Sequence, residues 1–423
     1  MGKETIVSLD IGSNKIVGMV AVVNNDSIDI EVAEHIEYEE RVVEKGRVVD
    51  IYGCTEYIKR ILTEIEQQAR RALPLVNISI GGGFVRGWTT FHTLNLETTR
   101  RKITEVDIEN LLKNIRNENN IPQDAYILHL LPQEYIIDEE TRVRKNPEGM
   151  FGSSIGAVVH VCIVQENPLR NIVECVKKTG SRVDKVYPHS WACAEALLSE
   201  EEKESGVLLI DIGKGTTDFL FYDESNLCGT YSIMTGGEHI DSDISKILEV
   251  SMETANEIKK QYGWCNYDTL VSENSPELTH QVEVRAIGSG AKKFVTVDEI
   301  SKIVYDRISD TLARVTKKIE EDVDVWPRLG AGIVLTGGSS LLKGIKSCAE
   351  NFFGRPVRIA SPRNVMGLTS SYQQPFFSSV VGTLSLRKKD MENEDQYESD
   401  WIKRFNEKKE RIANRFKTIW NKW

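Results

Sequence analysis

Two aspartates are the residues best suited to chemistry, because each follows an apolar run and precedes a glycine by two positions. Asp10 lies in "VSLDIGSNKIVGMV" (residues 7–20), and Asp211 lies in "VLLIDIGKGTTDFLFY" (residues 207–222). A carboxylate that ends a buried strand is costly to desolvate unless it meets a cation or hydrogen-bond donors. A glycine turn presents backbone N–H groups to an anion. Each hairpin therefore predicts a carboxylate for hydrated Mg²⁺ and amides for phosphate.

For either hairpin alone the alternative is an ordinary turn at the end of a strand, since Asp and Gly favour turns for backbone reasons. The repetition favours the functional interpretation, and the second copy continues with Gly215, Thr216, Thr217 and Asp218. A third glycine turn, "LTGGSS", follows a strand and precedes a helix, where a nucleotide can approach backbone that lacks Cβ atoms. Two hairpins that face each other across a cleft predict a clamp for a nucleoside triphosphate.

The elements that position these turns alternate between short β-branched runs and longer helical patterns, which indicates an α/β fold. The order of strand, glycine turn, strand and helix occurs in both halves, at a spacing too long for a solenoid, so we expect two similar lobes. Strands are predicted near 126–137, 155–164 and 227–234, and helices near 54–73, 104–119, 167–179, 189–203, 252–263 and 297–321.

Charge is distributed unevenly along the 423 residues. Eight Lys or Arg against Glu407 and Glu410 give residues 401–423 a net charge of +6, which leaves −17 for the rest of a chain whose total is −11. The acidic body argues against nucleic-acid binding. Seven scattered cysteines without a C-x-x-C pair favour buried thiols in a reducing compartment. No run of 18 apolar residues predicts a membrane-spanning helix.

Five segments resemble, in order and spacing, the signatures of the superfamily that contains actin, sugar kinases and heat-shock chaperones. They are the two hairpins, "VYPHSWACAEALL" (186–198), "MTGGEHIDSDI" (234–244) and "GIVLTGGSSLLKGI" (332–345). Residues 126–180 are similar to the FtsA family of bacterial cell-division proteins, including the Pro-Gln-Glu run, the Asn-Pro before Gly-Met and the Val-His-Val strand. The resemblance implies an actin-like (ribonuclease H-like) two-lobed α/β fold with a small inserted α+β subdomain.

The resemblance also implies an arrangement of domains. We expect the core of lobe I in 1–83 and 164–204, with the inserted subdomain between them in 84–163. The core of lobe II is expected in 205–230 and 301–386, the second of which also returns to lobe I, and a small lobe II subdomain is expected in 231–300. A flexible linker is expected in 387–400 and an amphipathic helix in 401–423.

ATP and Mg²⁺ are the ligands that the family implies, and its motifs map residue by residue onto this chain. Asp10 and Asp211 are expected to hold the metal through water. The phosphate, ribose and base contacts are expected from Asp10, Gly12, Ser13, Asn14, Lys15, Asp211, Gly213, Lys214, Gly215, Thr216, Thr217, Gly236, Gly237, Glu238, Lys259, Gly337, Gly338 and Ser339. From pattern alone, a solvated helix face is the better interpretation of Lys259 and Lys260.

Two positions depart from the family pattern. Lys214 stands where the family usually has glycine, and the sequence does not decide whether it leans into solvent or reaches the nucleotide. Pro188 and His189 stand where hydrolytic relatives have an acid or a glutamine that positions water. Without a clear general base, the sequence predicts tight ATP binding and at most slow hydrolysis, with no catalytic residue identified.

The segment 400–423 has an apolar face with aromatics and a face of Lys and Arg, a pattern typical of a helix in the headgroup region of an anionic membrane. An ordinary terminal helix packed on the body, or one in a partner's groove, is the alternative. One such helix binds weakly, so several copies in a polymer are expected to attach together. The predicted membrane residues are Trp401, Ile402, Phe405, Ile412, Phe416, Ile419, Trp420 and Trp423.

The family resemblance implies a location at the cytoplasmic face of the cell membrane at the division site, with a self-polymer, other divisome proteins and the FtsZ C-terminal peptide as partners. Lys302 and Arg307 are candidate contacts for that acidic peptide, although solvated helix charges explain them equally well. Two alternatives remain. A sugar-kinase-like phosphotransferase needs a catalytic carboxylate and a sugar pocket, and a pilus-assembly adaptor of the PilM type usually lacks the terminal helix.

Overall fold

The computed structural model describes residues 4–24, 27–96, 99–117, 121–322, 324–363 and 365–392. One compact unit is formed by the described residues of Met1–Val85 and Asn171–Lys388, and a second includes Arg86–Arg170. The first unit contains both aspartate hairpins and therefore the candidate site. The second unit is the inserted subdomain that the sequence predicts.

Strands occur in both units. In chain order they are β1 Glu4–Ile11, β2 Lys15–Val23, β3 Ile28–Glu37, β4 Val43–Glu44, β5 Arg47–Val48, β6 Leu75–Ile80, β7 Val85–Asn95, β8 Arg101–Lys102, β9 Ala125–Ile137, β10 Thr141–Val143, β11 Phe151–Gly152, β12 Ser154–Gln165, β13 Arg182–Pro188, β14 Val207–Ile212, β15 Thr217–Asp223, β16 Asn226–Ile233, β17 Gln281–Arg285, β18 Lys292–Thr296, β19 Gly332–Thr336 and β20 Val357–Ile359.

Helices connect these strands. They are α1 Ile51–Ala69, α2 Glu105–Arg116, α3 Glu166–Lys178, α4 His189–Leu197, α5 Glu200–Ser205, α6 Gly237–Ile247, α7 Met252–Tyr262, α8 Tyr267–Ser272, α9 Val297–Glu320, α10 Ile345–Phe353 and α11 Ser378–Glu392, with short 3₁₀ helices at Pro276–Thr279, Trp326–Arg328, Gly338–Leu341, Ser370–Tyr372 and Pro375–Phe377.

The two lobes of the first unit have the same strand order. In lobe I the order is β13-β6-β1-β2-β3, and in lobe II the strands β20-β19-β14-β15-β16 follow one another in the same way. In both lobes the hairpin and its third strand pair antiparallel, while the remaining two strands add in parallel. The duplication read from the sequence is therefore confirmed at the level of topology.

Each lobe has its own buried core. In lobe I, Ile58, Ile61 and Ile65 recur along α1 at helical spacing and are inaccessible to solvent. Residues spaced by three or four positions share one face of a helix, which explains why this face packs on the sheet. In lobe II, Phe219 and Tyr231 stack between β15 and β16 with ring centroids 5.4 Å apart. These cores hold the strand ends, and thus the two aspartates, in fixed positions.

The second unit is a small α+β domain. Its strands lie in the order β10-β9-β12-β7, and β9 pairs antiparallel with both of its neighbours. Helix α2 begins at a capping box in which Thr104 and Asp107 satisfy each other's backbone N–H groups. The apolar face of α2, with Leu111 and Ile115, is buried against this sheet's core. The predicted inserted subdomain is confirmed.

Two predictions about the C-terminal part differ from the structure or lie outside it. Helix α11 continues to Glu392, so the first residues of the predicted linker at 387–400 are helical. A buried Leu386 and an ion pair from Arg387 to Asp184 extend the helix beyond the point where the sequence becomes polar. Residues 393–423, including the predicted amphipathic helix, lie outside the described residues. Among the described residues, no helix is long and apolar enough to cross a membrane.

Candidate functional site

The first hairpin places Asp10 at the end of β1. The turn that follows is closed by a hydrogen bond from the Gly12 N–H to the Lys15 carbonyl, 3.0 Å long. The Asp10 carboxylate accepts hydrogen bonds from Ser79 Oγ at 3.3 Å and from Ser379 Oγ at 2.8 Å. These hydroxyls hold the carboxylate in one orientation at the strand end, which is what a metal or phosphate site requires.

The second hairpin repeats this geometry. The Gly213 N–H donates to the Thr216 carbonyl at 2.9 Å, as its counterpart does in lobe I. Asp211 is the penultimate residue of β14, and its neighbour across the hairpin is Asp218. Asp218 accepts hydrogen bonds from the Gly82 N–H at 2.9 Å and from Thr216 Oγ1 at 2.8 Å. Burial raises the pKa of Asp218 above its ordinary value, and this aspartate both accepts a hydrogen bond from the turn and lines the cleft.

One cavity of about 890 Å³ brings the two hairpins together. Ligand clefts of this size are typical of cofactor sites. Of the predicted contacts, those that line it are Asp10, Gly12, Ser13, Asn14, Lys15, Asp211, Gly213, Lys214, Gly215, Thr216, Gly237, Glu238, Lys259, Gly337, Gly338 and Ser339.

Two predicted contacts do not line the cavity. Thr217 is inaccessible to solvent and donates its hydroxyl hydrogen bond to the Thr235 carbonyl at 2.7 Å. Gly236 lies against the second hairpin, where a Cβ atom would come within 2.6 Å of the Lys214 carbonyl oxygen. Both residues therefore shape the loop that follows β16 instead of facing the cleft.

The third glycine turn forms one wall of the cavity. Gly337 has φ of +84°, a left-handed conformation that L-residues avoid, and a Cβ atom there would overlap the Asp211 carboxylate. The next residue, Gly338, has no neighbouring atom within 4 Å of the corresponding position and so leaves the cavity open. The turn thus allows both the aspartate and a ligand to approach the backbone closely.

The two lysines of the phosphate hairpins have different partners. Lys214 is exposed and reaches across the cleft, where its Nζ donates to Asn14 Oδ1 of lobe I at 2.9 Å. Lys15 Nζ lies 3.5 Å from the centre of the Phe376 ring and 4.1 Å from that of Phe377. Burial lowers the pKa of Lys15 to about 8, although Asp10 works in the opposite direction.

Two ion pairs lie at the cleft, on residues that line the cavity. Arg41 of lobe I contacts Glu238 of lobe II at 2.6 Å. Lys259 lies 2.6 Å from Asp241, and both side chains are almost fully buried. The solvated-face interpretation is therefore wrong for Lys259, because α6 places a carboxylate opposite it that the sequence of α7 alone does not reveal. Lys260 is exposed, as that interpretation predicts, and it also lines the same cavity.

Sequence reasoning missed the chemistry at the floor of the cleft. His189 lies between the two aspartates, with Nε2 2.9 Å from Asp211 Oδ2 and Nδ1 3.8 Å from Asp10 Oδ1. Burial opposes protonation of His189, but the charge and hydrogen bond of the Asp211 carboxylate outweigh it, so the pKa of His189 lies well above the ordinary value. The available signal was the His-x-x-x-Cys spacing at the start of α4, which puts both residues on one helix face.

The two candidate contacts for a partner peptide differ in their exposure and in their ion pairs. Lys302 is exposed on α9. Arg307, five residues further along, is partly buried and forms ion pairs with Asp243 and Asp310. An arginine held by two carboxylates is a poor candidate for an acidic peptide, so Lys302 is the better of the two.

Sequence comparison identifies two matching regions. A family model described as "Cell division protein FtsA" matches residues 208–382, and one described as "SHS2 domain inserted in FTSA" matches residues 89–163. The cell division protein FtsA of Pseudomonas aeruginosa is 32% identical, covering 90% of this chain and 88% of the relative. That of Borreliella burgdorferi is 30% identical, covering 99% and 100%. That of Escherichia coli K12 is 28% identical, covering 96% and 97%.

Solved structures with the same fold are much more distant in sequence. The PilM–PilN type IV pilus biogenesis complex aligns with a TM-score of 0.59 at 15% identity, covering 90% of this chain and 98% of the other. MreB5 of Spiroplasma citri bound to ADP aligns with a TM-score of 0.55 at 17% identity, covering 93% and 99%. At these identities the likeness shows the fold alone, which is the actin-like two-lobed fold that the sequence predicts.

Proposed function

The chain belongs to the FtsA family of cell division proteins, and from that premise we propose how it acts. It binds ATP with Mg²⁺ between its lobes, polymerises on the cytoplasmic face of the cell membrane, and tethers FtsZ filaments there during septum assembly. The observation that carries the nucleotide part is the convergence of two aspartate-ended hairpins and a third glycine turn on one cavity. The structures of MreB5 with ADP and with AMPPNP, which share the fold, support the same choice of ligand.

The residues of the cleft suit Mg²⁺ bound through water. Asp10 and Asp211 line the same cavity and offer carboxylate oxygens, the donors that Mg²⁺ prefers. Gly337 leaves beside Asp211 the space that a side chain would fill. When bound, the ion neutralises charge on the phosphates. The N–H groups of the glycine turns and the ammonium groups of Lys15 and Lys214 provide the remaining positive potential on this side of the cleft.

Hydrolysis is proposed to be slow at best. His189 occupies the segment that precedes lobe II, and its Nε2 is engaged by Asp211 instead of facing the open cavity. A general base must reach the attacking water with a free acceptor atom, and a histidine held as the charged form has none. ATP therefore serves to hold the lobes together in a shape that polymerises.

Substitution of Asp211 tests the nucleotide proposal. Asp211→Ala is expected to weaken Mg-ATP binding at least about tenfold, since a charge-assisted interaction contributes about 1.5–3 kcal/mol. Isothermal titration of the full chain with Mg-ATP measures this. Asp306→Ala, which removes an exposed carboxylate from α9 in the same lobe, is the matched control. Equal affinities of the two variants would refute the clamp.

Membrane attachment is proposed for residues 401–423. The full chain is expected to co-sediment with anionic vesicles in the presence of ATP, and a chain that ends at residue 400 is expected to stay in the supernatant. Vesicles of neutral lipid are the control for the cationic face. If the truncated chain pellets as well as the full chain, the anchor lies elsewhere.

Binding of the FtsZ C-terminal peptide is proposed for the small subdomain of lobe II and α9. Lys302→Glu reverses an exposed charge and is expected to weaken the binding of the labelled acidic peptide, measured by fluorescence anisotropy. Lys317→Glu makes the same change at another exposed position of α9. Equal losses in both variants indicate a general charge effect and contradict a specific site at Lys302.

A further inference from the structure

Three side chains of metal-binding type converge at the floor of the cleft, and the proposed nucleotide contacts account for only one of them. His189 begins α4, Cys193 follows one turn later on the same helix, and Asp211 is the penultimate residue of the neighbouring strand β14. One ligand atom from each lies within 4.8 Å of the other two. Residues four positions apart on a helix present their side chains to the same point, which is a common way to build a metal site.

The contacts within this cluster are already close to those of a coordination shell. His189 Nε2 lies 2.9 Å from Asp211 Oδ2, and Cys193 Sγ lies 3.2 Å from the same oxygen. With metal–ligand distances of about 2.0–2.3 Å, a small outward movement of each atom leaves room for one ion between them.

The second nitrogen of the histidine also faces a suitable group. His189 Nδ1 is directed towards Asp10, whose Oδ1 lies 3.8 Å away. Histidine ligands of metals usually present their other ring nitrogen to a carboxylate or carbonyl, which fixes the ring and increases its basicity. Asp10 is itself held by two serine hydroxyls, so this outer group is in a defined position.

Burial separates the three ligands into an inner and an outer part. Cys193 is inaccessible to solvent, and burial raises the pKa of its thiol above the ordinary value. His189 and Asp211 line the cavity. An ion held by all three therefore has sulfur on its protein side and one coordination position open to the cleft, from which it can enter.

We propose that His189, Cys193 and Asp211 form a binding site for a borderline-soft divalent cation of the zinc class. One nitrogen, one sulfur and one carboxylate oxygen are the ligand types that such ions share, whereas Mg²⁺ takes oxygen alone. On binding, the Cys193 thiol and the His189 imidazolium each release a proton to solvent, so that the sulfur bonds to the metal as thiolate and Nε2 as neutral imidazole, with no change of oxidation state. Asp211 also belongs to the proposed Mg²⁺ site, so only one of the two ions occupies that carboxylate at a time.

Cobalt is the probe for this site, because Co²⁺ replaces Zn²⁺ and its bond to a thiolate produces a charge-transfer absorption in the near ultraviolet. The full chain, with its cysteines reduced and without nucleotide, is titrated with CoCl₂. The expected result is a charge-transfer band that saturates at one equivalent, together with the visible bands of a four-coordinate ion. Since no nucleotide is present, the outcome does not depend on whether the chain binds ATP.

Variants assign the band to the three residues. Cys193→Ser is expected to abolish the charge-transfer band, while Cys228→Ser, which changes a partly buried cysteine of β16, is expected to retain it. His189→Asn keeps the thiol and is expected to weaken Co²⁺ binding by about tenfold or more. This second variant keeps the test decisive if Cys193→Ser does not fold.

Two results overturn the proposal. One is the absence of a charge-transfer band in the wild-type chain at saturating Co²⁺, which shows that the three residues form only a hydrogen-bond network. The other is a charge-transfer band that persists in Cys193→Ser, or a Co²⁺ affinity that is unchanged in His189→Asn. Either result places the bound metal at another thiol.

Discussion

Replacement of Lys259 by Met tests the buried ion pair between Lys259 and Asp241, which the sequence pattern did not predict. Lys259 and Asp241 are 7% and 4% exposed and lie 2.6 Å apart. Removal of one partner from a buried pair leaves an uncompensated charge and costs about 3–5 kcal/mol. Both residues also line the cavity, so water reaches Asp241 from that side. We therefore expect a loss near the lower limit, about 3 kcal/mol.

Native-state hydrogen exchange followed by mass spectrometry measures this loss where it occurs. Peptides that cover α6 and α7 are expected to exchange on the order of 100-fold faster in Lys259→Met, since each 1.4 kcal/mol is a factor of ten. The measurement is made without nucleotide, because a ligand that binds only the folded state masks the difference. Lys260→Met is the matched control. It makes the same change at the exposed neighbour and is expected to cost less than about 0.5 kcal/mol.

The pH dependence of the loss has a defined sign. Burial raises the pKa of Asp241 even with Lys259 opposite it, and removal of the lysine raises it further. A carboxyl group whose pKa is higher in the folded than in the unfolded state favours folding below its unfolded pKa, and that contribution is lost as the pH rises through the folded pKa. The difference between Lys259→Met and the wild type is thus expected to be smaller at pH 5 than at pH 8.

A double-mutant cycle with Asp241→Asn completes the test. The double variant leaves no buried charge at this position, so we expect it to be more stable than the sum of the single changes by about 0.5–3 kcal/mol. Equal exchange rates in Lys259→Met and Lys260→Met, or additive losses in the cycle, would refute the claim that a buried ion pair supports this wall of the cleft.

Three further predictions follow from single positions. Gly337→Ala is expected to lower the melting temperature and Mg-ATP affinity because its Cβ overlaps a cleft carboxylate, while Gly338→Ala, which meets no atom within 4 Å, leaves the melting temperature unchanged. Equal melting temperatures of the two variants in thermal unfolding contradict this prediction. In NMR of labelled lysines, Lys15 is expected to titrate near its lowered pKa of about 8. Phe376→Ser admits water to the Lys15 side chain and is expected to raise that pKa. A titration near the ordinary value of about 10.4 in the wild type contradicts the burial argument. The hydrogen bond from Arg101 is the main cause that lowers the pKa of Asp107. The ionised carboxylate therefore stabilises α2 at a pH above the pKa that Asp107 has in the unfolded chain, and this contribution is lost as the pH falls. Asp107→Asn is thus expected to flatten the acid dependence of exchange in α2, and an unchanged dependence contradicts it.

Local sequence patterns predicted much of the fold. Alternation of apolar strands and glycine turns indicated the two lobes, since Asp and Gly favour turns for backbone reasons. The predicted strand near 155–164 corresponds to Ser154–Gln165, and the predicted helix near 297–321 corresponds to Val297–Glu320. Long periodic helices and caps such as the one at Thr104 are determined within a few turns of chain.

The same patterns could not predict which residues the charged side chains contact. Lys259 looks solvated in the sequence of α7, and only the packing of α6 on α7 places Asp241 against it. Arg307 is an exposed cation by pattern, yet it pairs with Asp243 from another helix. Helix α11 extends into a polar segment because Leu386 is buried in lobe I. Each of these outcomes depends on residues far apart in the chain, which no local window contains.

By itself the sequence determined that Asp10 and Asp211 end buried strands before glycine turns, because that property belongs to a dozen consecutive residues. Only the tertiary structure decided what those carboxylates meet. The two lobes bring them to one cavity, place His189 between them, and carry Lys214 across to Asn14. The physical reason is that desolvation and pairing act through distances of a few ångströms in space, and these distances exist only once both cores have formed.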